Sequence, residues 1–410
     1  MPMGKRRLGV ASCAAALIVT VAACSTTISG SAVMATSEAG PGGVHGTSLD
    51  PGNYPTAPRP PLGTAGDPTK GAVIEAQRMA SNVVGPWEVD PALLTPGMET
   101  LVLKSPEAVG VVLDFQDALG AVAGAHNFIA GFSSVRTAYQ GPELGGNELR
   151  WLSNIVLRFA SPDDATAAAA EMAATSTNVY QDHSEDPTPT QPIAVPLYPA
   201  TSAVTFEFNS GAKVLAYTAH GTYVLCQQVY SKDGPSAAAD LVAATLDKQG
   251  PLIDRFQPTP VDQLSTLSLD PGGLLARTVP AAERNVNYGS YEPRGILHFD
   301  DTPPRSQTVF DAAHLQLATR GATNVYQTPD PTSARRIVDS FTTEVVERKY
   351  VPAAGIQGLP DAKCLTRKDN DTATFYCLAV VDRYAVEASS KHERLAHQLV
   401  SAQYLMLTTK

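Results

Sequence analysis

KVLAYTAHGTYVLCQQVY, residues 213–230, decides the fold. Two runs rich in β-branched and aromatic residues flank His220 and Gly221, so the stretch predicts two antiparallel strands about a tight turn. A helix begins close to Pro235 and continues through SAAADLVAATLDKQ. TATFYCLAVVDRYAVEAS, residues 372–389, repeats this plan. Its two strand-like runs turn near Asp382 and Arg383, and Ser390-Lys391-His392-Glu393 opens a terminal helix from Lys391 to Leu407. Leu395, Leu399, Ala402 and Met406 are spaced for one buried face of that helix, with Tyr404 beside them.

The order of signals upstream of each hairpin also repeats. WLSNIVLRFA (Trp151–Ala160) is strand-like and runs into Ser161-Pro162-Asp163-Asp164, a capped start for the helix ATAAAAEMAA. NVYQ (Asn324–Gln327) runs into Thr328-Pro329-Asp330-Pro331 and TSARRIVDSF, with Thr328 as the expected cap and Pro329 at the first helical position. Setting Ser161 against Thr328 and Tyr223 against Tyr384 gives internal spacings of 62 and 56 residues, a loop-sized difference. NVYQ also occurs at Asn178–Gln181, at a different point of the pattern. The expected fold class is therefore α+β: two related units of antiparallel sheet packed with helices. AVIEAQRMASNVV and SPEAVGVVLDFQDALGAVAG are helical in character and are expected to pack on the first unit. Gln257–Ala282, where Pro, Gly, Ser and Thr are interspersed with leucines, reads as a passage between domains, with the boundary near 275.

At the other end, Lys5, Arg6 and Arg7 precede the short apolar run Leu8–Val21, a secretory signal too short to prefer a permanent span. Val21-Ala22-Ala23-Cys24 looks like a bacterial lipoprotein lipobox. That resemblance implies cleavage before Cys24 and acylation of its thiol, with enough buried chains for stable anchoring. Ser25–Pro68 is dominated by Ser, Thr, Gly, Pro and Ala. It is expected to be a disordered tether with a coil dimension of about 35–40 Å. The expected partition is residues 1–23 as signal peptide, 24–68 as lipidated cysteine and tether, 69–275 as first domain and 276–410 as second domain.

The 410 residues are 43% hydrophobic and 17% charged, which supports real cores and excludes wholesale disorder. The formal charge is −10. Loss of the three basic signal residues leaves 27 basic against 40 acidic residues, or −13. Such a surface disfavours nucleic acid and anionic lipid, so membrane contact is assigned to the N-terminal anchor on the extracytoplasmic face. Of five cysteines, Cys13 lies in the signal and Cys24 at the acylation point. Cys364 and Cys377 enclose a hairpin with a Lys-Asp-Asn-Asp centre, where a disulfide is expected in an oxidising compartment. Cys226 reads as a small buried hydrophobe. Three cysteines so dispersed do not have the spacing of a zinc site.

The chain has no H-E-x-x-H, G-x-S-x-G, G-x-x-x-x-G-K-[ST] or strand-to-helix G-x-G-x-x-G. His298 with Asp300 and Asp301 has acid, base and metal-ligand chemistry. It reads better as an exposed polar strand end. His392 and His397, five apart, do not form an i,i+4 ligand pair and read as surface residues. Asp369-Asn370-Asp371 lacks the remainder of a calcium loop. Tyr217, Tyr223, Phe375, Tyr376 and Tyr384 are candidate pocket-lining residues and equally ordinary sheet formers. No cofactor, metal or catalytic residue is assigned.

VAAC at 21–24, the Pro/Gly/Thr tether, SPDDATAAAAEMA and the block AKCLTRKDNDTATFYCLAVVDRYAVEASSKHERLAHQLVSAQYLML (residues 362–407) together resemble the uncharacterised cell-envelope lipoproteins of mycobacteria, nocardiae and related actinobacteria. Gln398–Tyr404 supplies the helix pattern QLVSAQY. The resemblance implies an envelope location and a two-part α+β fold with a cysteine-paired C-terminal domain. It transfers no activity. The expectation is a noncatalytic envelope lipoprotein that binds a lipid, glycan or protein between its two domains. The alternatives are a hydrolase with a dispersed site and a structural assembly factor.

Overall fold

The computed structural model describes residues 49–409 apart from 98–99, 114–115, 142–145, 180–185, 284 and 370–371. Cys24, the signal and the first part of the expected tether lie outside the described residues. The described chain forms one compact unit. Its strands in chain order are β1 (Thr95–Pro96), β2 (Leu101–Leu103), β3 (Phe128–Tyr139), β4 (Glu148–Phe159), β5 (Asn178–Val179) and β6 (Thr188–Pro189). They continue as β7 (Gln191–Pro192), β8 (Ser202–Phe208), β9 (Gly211–His220), β10 (Tyr223–Ser231), β11 (Gly289–Tyr291) and β12 (Leu317–Arg320). The last five are β13 (Asn324–Gln327), β14 (Val351–Pro352), β15 (Lys363–Asp369), β16 (Thr372–Val381) and β17 (Tyr384–Ser390).

The first large sheet runs β1-β3-β4-β10-β9-β8-β7, with β2 also on β3; the second runs β11-β12-β13-β17-β16-β15-β14. Both are antiparallel throughout and have the same strand order, so the fold is α+β with two related units. Tyr223 and Tyr384 each open the last strand of their sheet, as the hairpin register predicts.

Helix Pro162–Thr175 starts as expected, with the Ser161 hydroxyl accepting from Asp164 N–H and Pro162 in the first turn. Its counterpart starts two residues later than expected. Asp330 caps helix Pro331–Glu347 by accepting from Ser333 N–H. The sequence TPDP offers two cap-proline pairs, and Thr328 is committed elsewhere. Its N–H and hydroxyl both donate to the Arg383 carbonyl at the turn between β16 and β17.

Each sheet is covered on both faces. Helix Pro162–Thr175 closes a core containing Ile155, Leu157, Leu215 and Cys226. The terminal helix Glu393–Thr408 closes another containing Cys377, Ala379, Val386 and Ala388. On it Leu399, Ala402 and Met406 are buried, but Leu395 is 38% exposed and Ala396 takes the inward place in the first turn. The remaining faces share one core. Helix Pro235–Ile253 contributes Val242 and Leu246 from the first unit, while helix Pro331–Glu347 contributes Ile337 and Phe341 from the second. Helix Pro68–Met79 adds Ala76 and Met79 to this shared core. Unlike faces of the two related units are thus joined through this one core.

The expected tether is corrected over its second part. Leu49 and Tyr54 pack on the core beneath the terminal helix, and Asp50 accepts from Gln398 Nε2 at 2.9 Å. Arg59 N–H donates to the Ala276 carbonyl and Ala65 N–H to the Leu267 carbonyl. Pro and Gly exclude regular structure here without preventing backbone hydrogen bonds to a neighbour.

Cys364 and Cys377 face one another across β15 and β16 and are bonded. Joint replacement by serine is expected to lower stability by about 3 kcal/mol through loss of the short covalent loop. Denaturant unfolding of the oxidised protein and the double variant measures this.

Candidate functional site

A cavity of about 280 Å³ opens on the second sheet beside helix Pro331–Glu347. Its floor is Arg320 of β12, Asn324 and Tyr326 of β13, Tyr376 of β16, and Glu387 and Ser389 of β17. Phe341, Glu344 and Val345 of the helix form one wall with Arg348 and Tyr350; Ile296, Phe299, Asp300 and Asp301 form the other. The segment 297–301 is held from the first unit. Fully buried Arg136 of β3 donates to the carbonyls of His298 (2.8 Å) and Asp300 (2.7 Å), with its guanidinium 5.2 Å from the Trp87 ring centroid.

The charges are uneven. Arg348 is bonded to Asp301 and lies 3.7 Å from Glu344. Arg320 stacks 4.1 Å over Phe299. Asp300 and Glu387 form no salt bridge with Lys or Arg among the described residues. Tyr326 Oη donates to Glu387 Oε2 at 2.7 Å, and Thr302 N–H donates to Asp300 Oδ1 at 2.8 Å. Burial pushes the Asp300 carboxyl up to about 7, with Glu344 and Glu387 adding to the rise against the pull of Thr302 and Ser306. Glu387 is raised by burial despite its bonds from Tyr326 and Asn324. Burial and the nearby carboxylates also hold the Tyr326 and Tyr376 hydroxyls well above their usual range.

Comparison of the two units identifies what is special about this place. With Tyr223 equivalent to Tyr384, the pairing registers carry Glu387 onto Cys226 and Asn324 onto Ile155. The same registers carry Tyr326 onto Leu157, Tyr376 onto Leu215 and Arg320 onto Ser133. In the first unit Ile155, Leu157, Leu215 and Cys226 are buried in one dry core under helix Pro162–Thr175. In the second unit the equivalent positions are polar and line an open cavity. Burying polar groups costs free energy that the first unit avoids at these positions.

The cavity brings together only part of what the sequence singled out. Asp300, Asp301 and Tyr376 line it. His298 does not; it is 2% exposed in a 3₁₀ turn, not an exposed strand end. Its ring bonds Ser134 Oγ at 2.8 Å and the Ala80 carbonyl at 2.9 Å. Desolvation holds its imidazole down at about 3. This serine–histidine contact has a backbone carbonyl where a triad has a carboxylate, and both side chains are sealed from solvent. Tyr217 is buried and bonded to Ser176, while Tyr223 and Tyr384 are buried in cores and Phe375 packs beneath the terminal helix. Cys226 is free and buried, with its thiol raised by desolvation. His392 is exposed before the terminal helix; His397 is half-buried beside the disulfide, its Nε2 without a hydrogen-bond partner. Cys364, Cys377 and His397 are the one triple close enough to hold a metal among the described residues, and the disulfide occupies both sulfurs.

The residues missed in the sequence are Arg320, Glu344, Tyr350 and Glu387. Glu387 carried a usable signal: it interrupts the apolar face of its strand where Cys226 does not.

A search of curated proteins gives no match. Among solved structures, the chain is similar to the extracellular domain of PknH from Mycobacterium tuberculosis, with 18% identity over 43% of this chain and 96% of that one, at a TM-score of 0.31. The profile described as "Domain of unknown function (DUF7373) N-terminal" matches residues 62–269, and the corresponding C-terminal profile matches 274–410, so the two profiles meet close to the passage between the sheets. The chain belongs to the DUF7373 family and carries both of its domains.

Proposed function

We propose that this protein is a noncatalytic cell-envelope lipoprotein that binds a small polar ligand in the cavity of its second unit. One observation carries this reading: Asn324, Tyr326, Tyr376 and Glu387 line a cavity where their counterparts Ile155, Leu157, Leu215 and Cys226 are apolar and buried in a core, the first sheet's own cavity of about 220 Å³ lying further along at Ser153 and Gln228. Binding sites of this kind combine aromatic walls with a few placed polar groups, as Phe341, Tyr350 and Tyr376 do with Asp300, Arg320 and Glu387. The expected groove between the units moves to the second unit, because all the lining residues come from 296–389.

The extracytoplasmic location rests on the signal, the lipobox and the Cys364–Cys377 disulfide, which belongs to an oxidising compartment. No described helix is long and apolar enough to cross a membrane. Anchoring is assigned to Cys24 on the lipobox resemblance of Val21-Ala22-Ala23-Cys24. Replacement of Cys24 by serine is expected to abolish acyl incorporation and release the chain from the membrane fraction. Retention of the variant with the membrane would overturn the anchor.

The full chain, purified gently from its native envelope and extracted with organic solvent, is expected to yield one enriched small molecule by mass spectrometry. Extracts matching those of an unrelated envelope lipoprotein would contradict the binding reading.

A further inference from the structure

We propose that the ligand of this cavity carries an ammonium group, seated against the tyrosine walls and facing Asp300 and Glu387. The inference rests on the binding reading above and adds the chemical class of its ligand. Tyr350 and Tyr376 are 6.5 Å apart at 66°, and Tyr326 and Phe341 are 5.4 Å apart at 82°. The Arg367 guanidinium already stacks 4.9 Å over one face of Tyr350, so a ligand cation would draw on Tyr376, Tyr326 and the other face of Tyr350. Aromatic faces attract a cation through the ring quadrupole, more strongly where water is displaced.

The charge arrangement selects the same class. Arg348 is already engaged with Asp301 and Glu344, and Arg320 with the Phe299 ring. Neither Asp300 nor Glu387 forms a salt bridge among the described side chains, although the charges of Arg136 and Arg348 reach Asp300 from a distance. A neutral ligand would leave both carboxyls as costly in their charged state as they are now. An anion would add repulsion. A ligand ammonium supplies a directly paired counter-charge, which neither carboxyl has within the cavity.

A proton follows from this arrangement. The groups around Asp300 are Arg136 from β3, neighbouring Asp301, Glu344 and Arg348 from the helix wall, and Glu387, Tyr326 and Arg320 from the sheet. In the free protein burial keeps Asp300 substantially protonated near neutrality. An entering ammonium favours the carboxylate and drives the proton to solvent. Affinity then rises with pH through the Asp300 transition, because the deprotonated form binds better.

Isothermal titration of the full chain with choline and with its uncharged isostere 3,3-dimethyl-1-butanol tests the class. Choline is expected to bind about tenfold or more tightly than the isostere, and about fivefold or more tightly at about pH 8 than at about pH 5.5. Proton release is read from the dependence of the heat on buffer ionisation. Glu387→Gln is expected to remove most of the preference for choline, and Asp300→Asn most of the pH dependence, in variants whose circular dichroism and melting remain those of the folded chain. Equal binding of choline and the isostere would overturn the ammonium class and leave a cavity that binds ligands. Failure of both probes, with an envelope-derived molecule still retained, would also overturn the ammonium class and leave the binding reading intact. Failure of both probes, with no retained molecule, would overturn both.

Discussion

Glu75→Ala is expected to lower the free energy of unfolding by about 3–5 kcal/mol, the range for removing one partner of a buried charge pair. Glu75 lies on helix Pro68–Met79 with no exposed surface. One carboxylate oxygen accepts from Arg158 Nη1 of β4 at 2.5 Å and from Thr259 N–H at 2.8 Å. The other accepts from Arg78 Nη1 at 2.5 Å and the Thr259 hydroxyl at 2.9 Å. Three segments meet on this one side chain: the helix, the central strand of the first sheet and the chain leaving helix Pro235–Ile253. Alanine leaves the Arg158 guanidinium, whose side chain is 6% exposed, without its counter-charge. Urea unfolding followed by circular dichroism should show a lower midpoint at unchanged slope. A loss below about 1 kcal/mol would mean that the pair is close to balanced by its own desolvation.

The second large effect is on binding. Joint replacement Asn324→Ile and Glu387→Leu gives two cavity positions the apolar character of their counterparts Ile155 and Cys226 in the first unit. The variant is expected to keep its fold and to stay within about 2 kcal/mol of wild-type stability, because removal of a half-buried acid and amide is offset by the buried Tyr326 hydroxyl that loses Glu387 as its acceptor. Ligand retention is expected to fall by about 100-fold, from loss of two polar anchors and part of the cavity. Urea unfolding and ligand quantification on the same preparation separate the two effects. Failure to fold would contradict the equivalence between the units.

The parts of this architecture that were legible in the sequence are those fixed by local periodicity and capping. The hairpins at 213–230 and 372–389 alternate in character about short turns, and Tyr223 and Tyr384 fall at the same place in both sheets. Thr328 shows the limit of such reasoning. Two adjacent caps are equivalent in isolation, and the choice of Asp330 follows from a hydrogen bond to Arg383, 55 residues away. The Pro/Gly-rich strap at 49–66 carries no periodicity, so its docking through backbone hydrogen bonds to 267 and 276 left no compositional trace.

The site was partly legible for the same reason. GILHFDD contained Asp300 and Asp301, but its adjacent polar residues resembled a strand end. The segment turns instead, sending His298 into the interior and Asp300 to the cavity. The high proton affinity of Asp300 comes from burial and from Glu344 and Glu387, which are 44 and 87 residues further along the chain. Tertiary placement created that property. The duplication gave the sharper clue, since a strand that carries Glu387 where its relative carries Cys226 is not built only for packing.

The cavity of the second unit is proposed to hold a ligand at positions whose counterparts Ile155 and Cys226 are buried in a core of the first. Native mass spectrometry of the wild-type chain and the Asn324→Ile, Glu387→Leu variant, purified side by side from the same native cells, decides between binding and its absence. A bound small molecule is expected on the wild type and not on an equally folded variant. The same molecule at the same occupancy on both chains would contradict binding at the cavity.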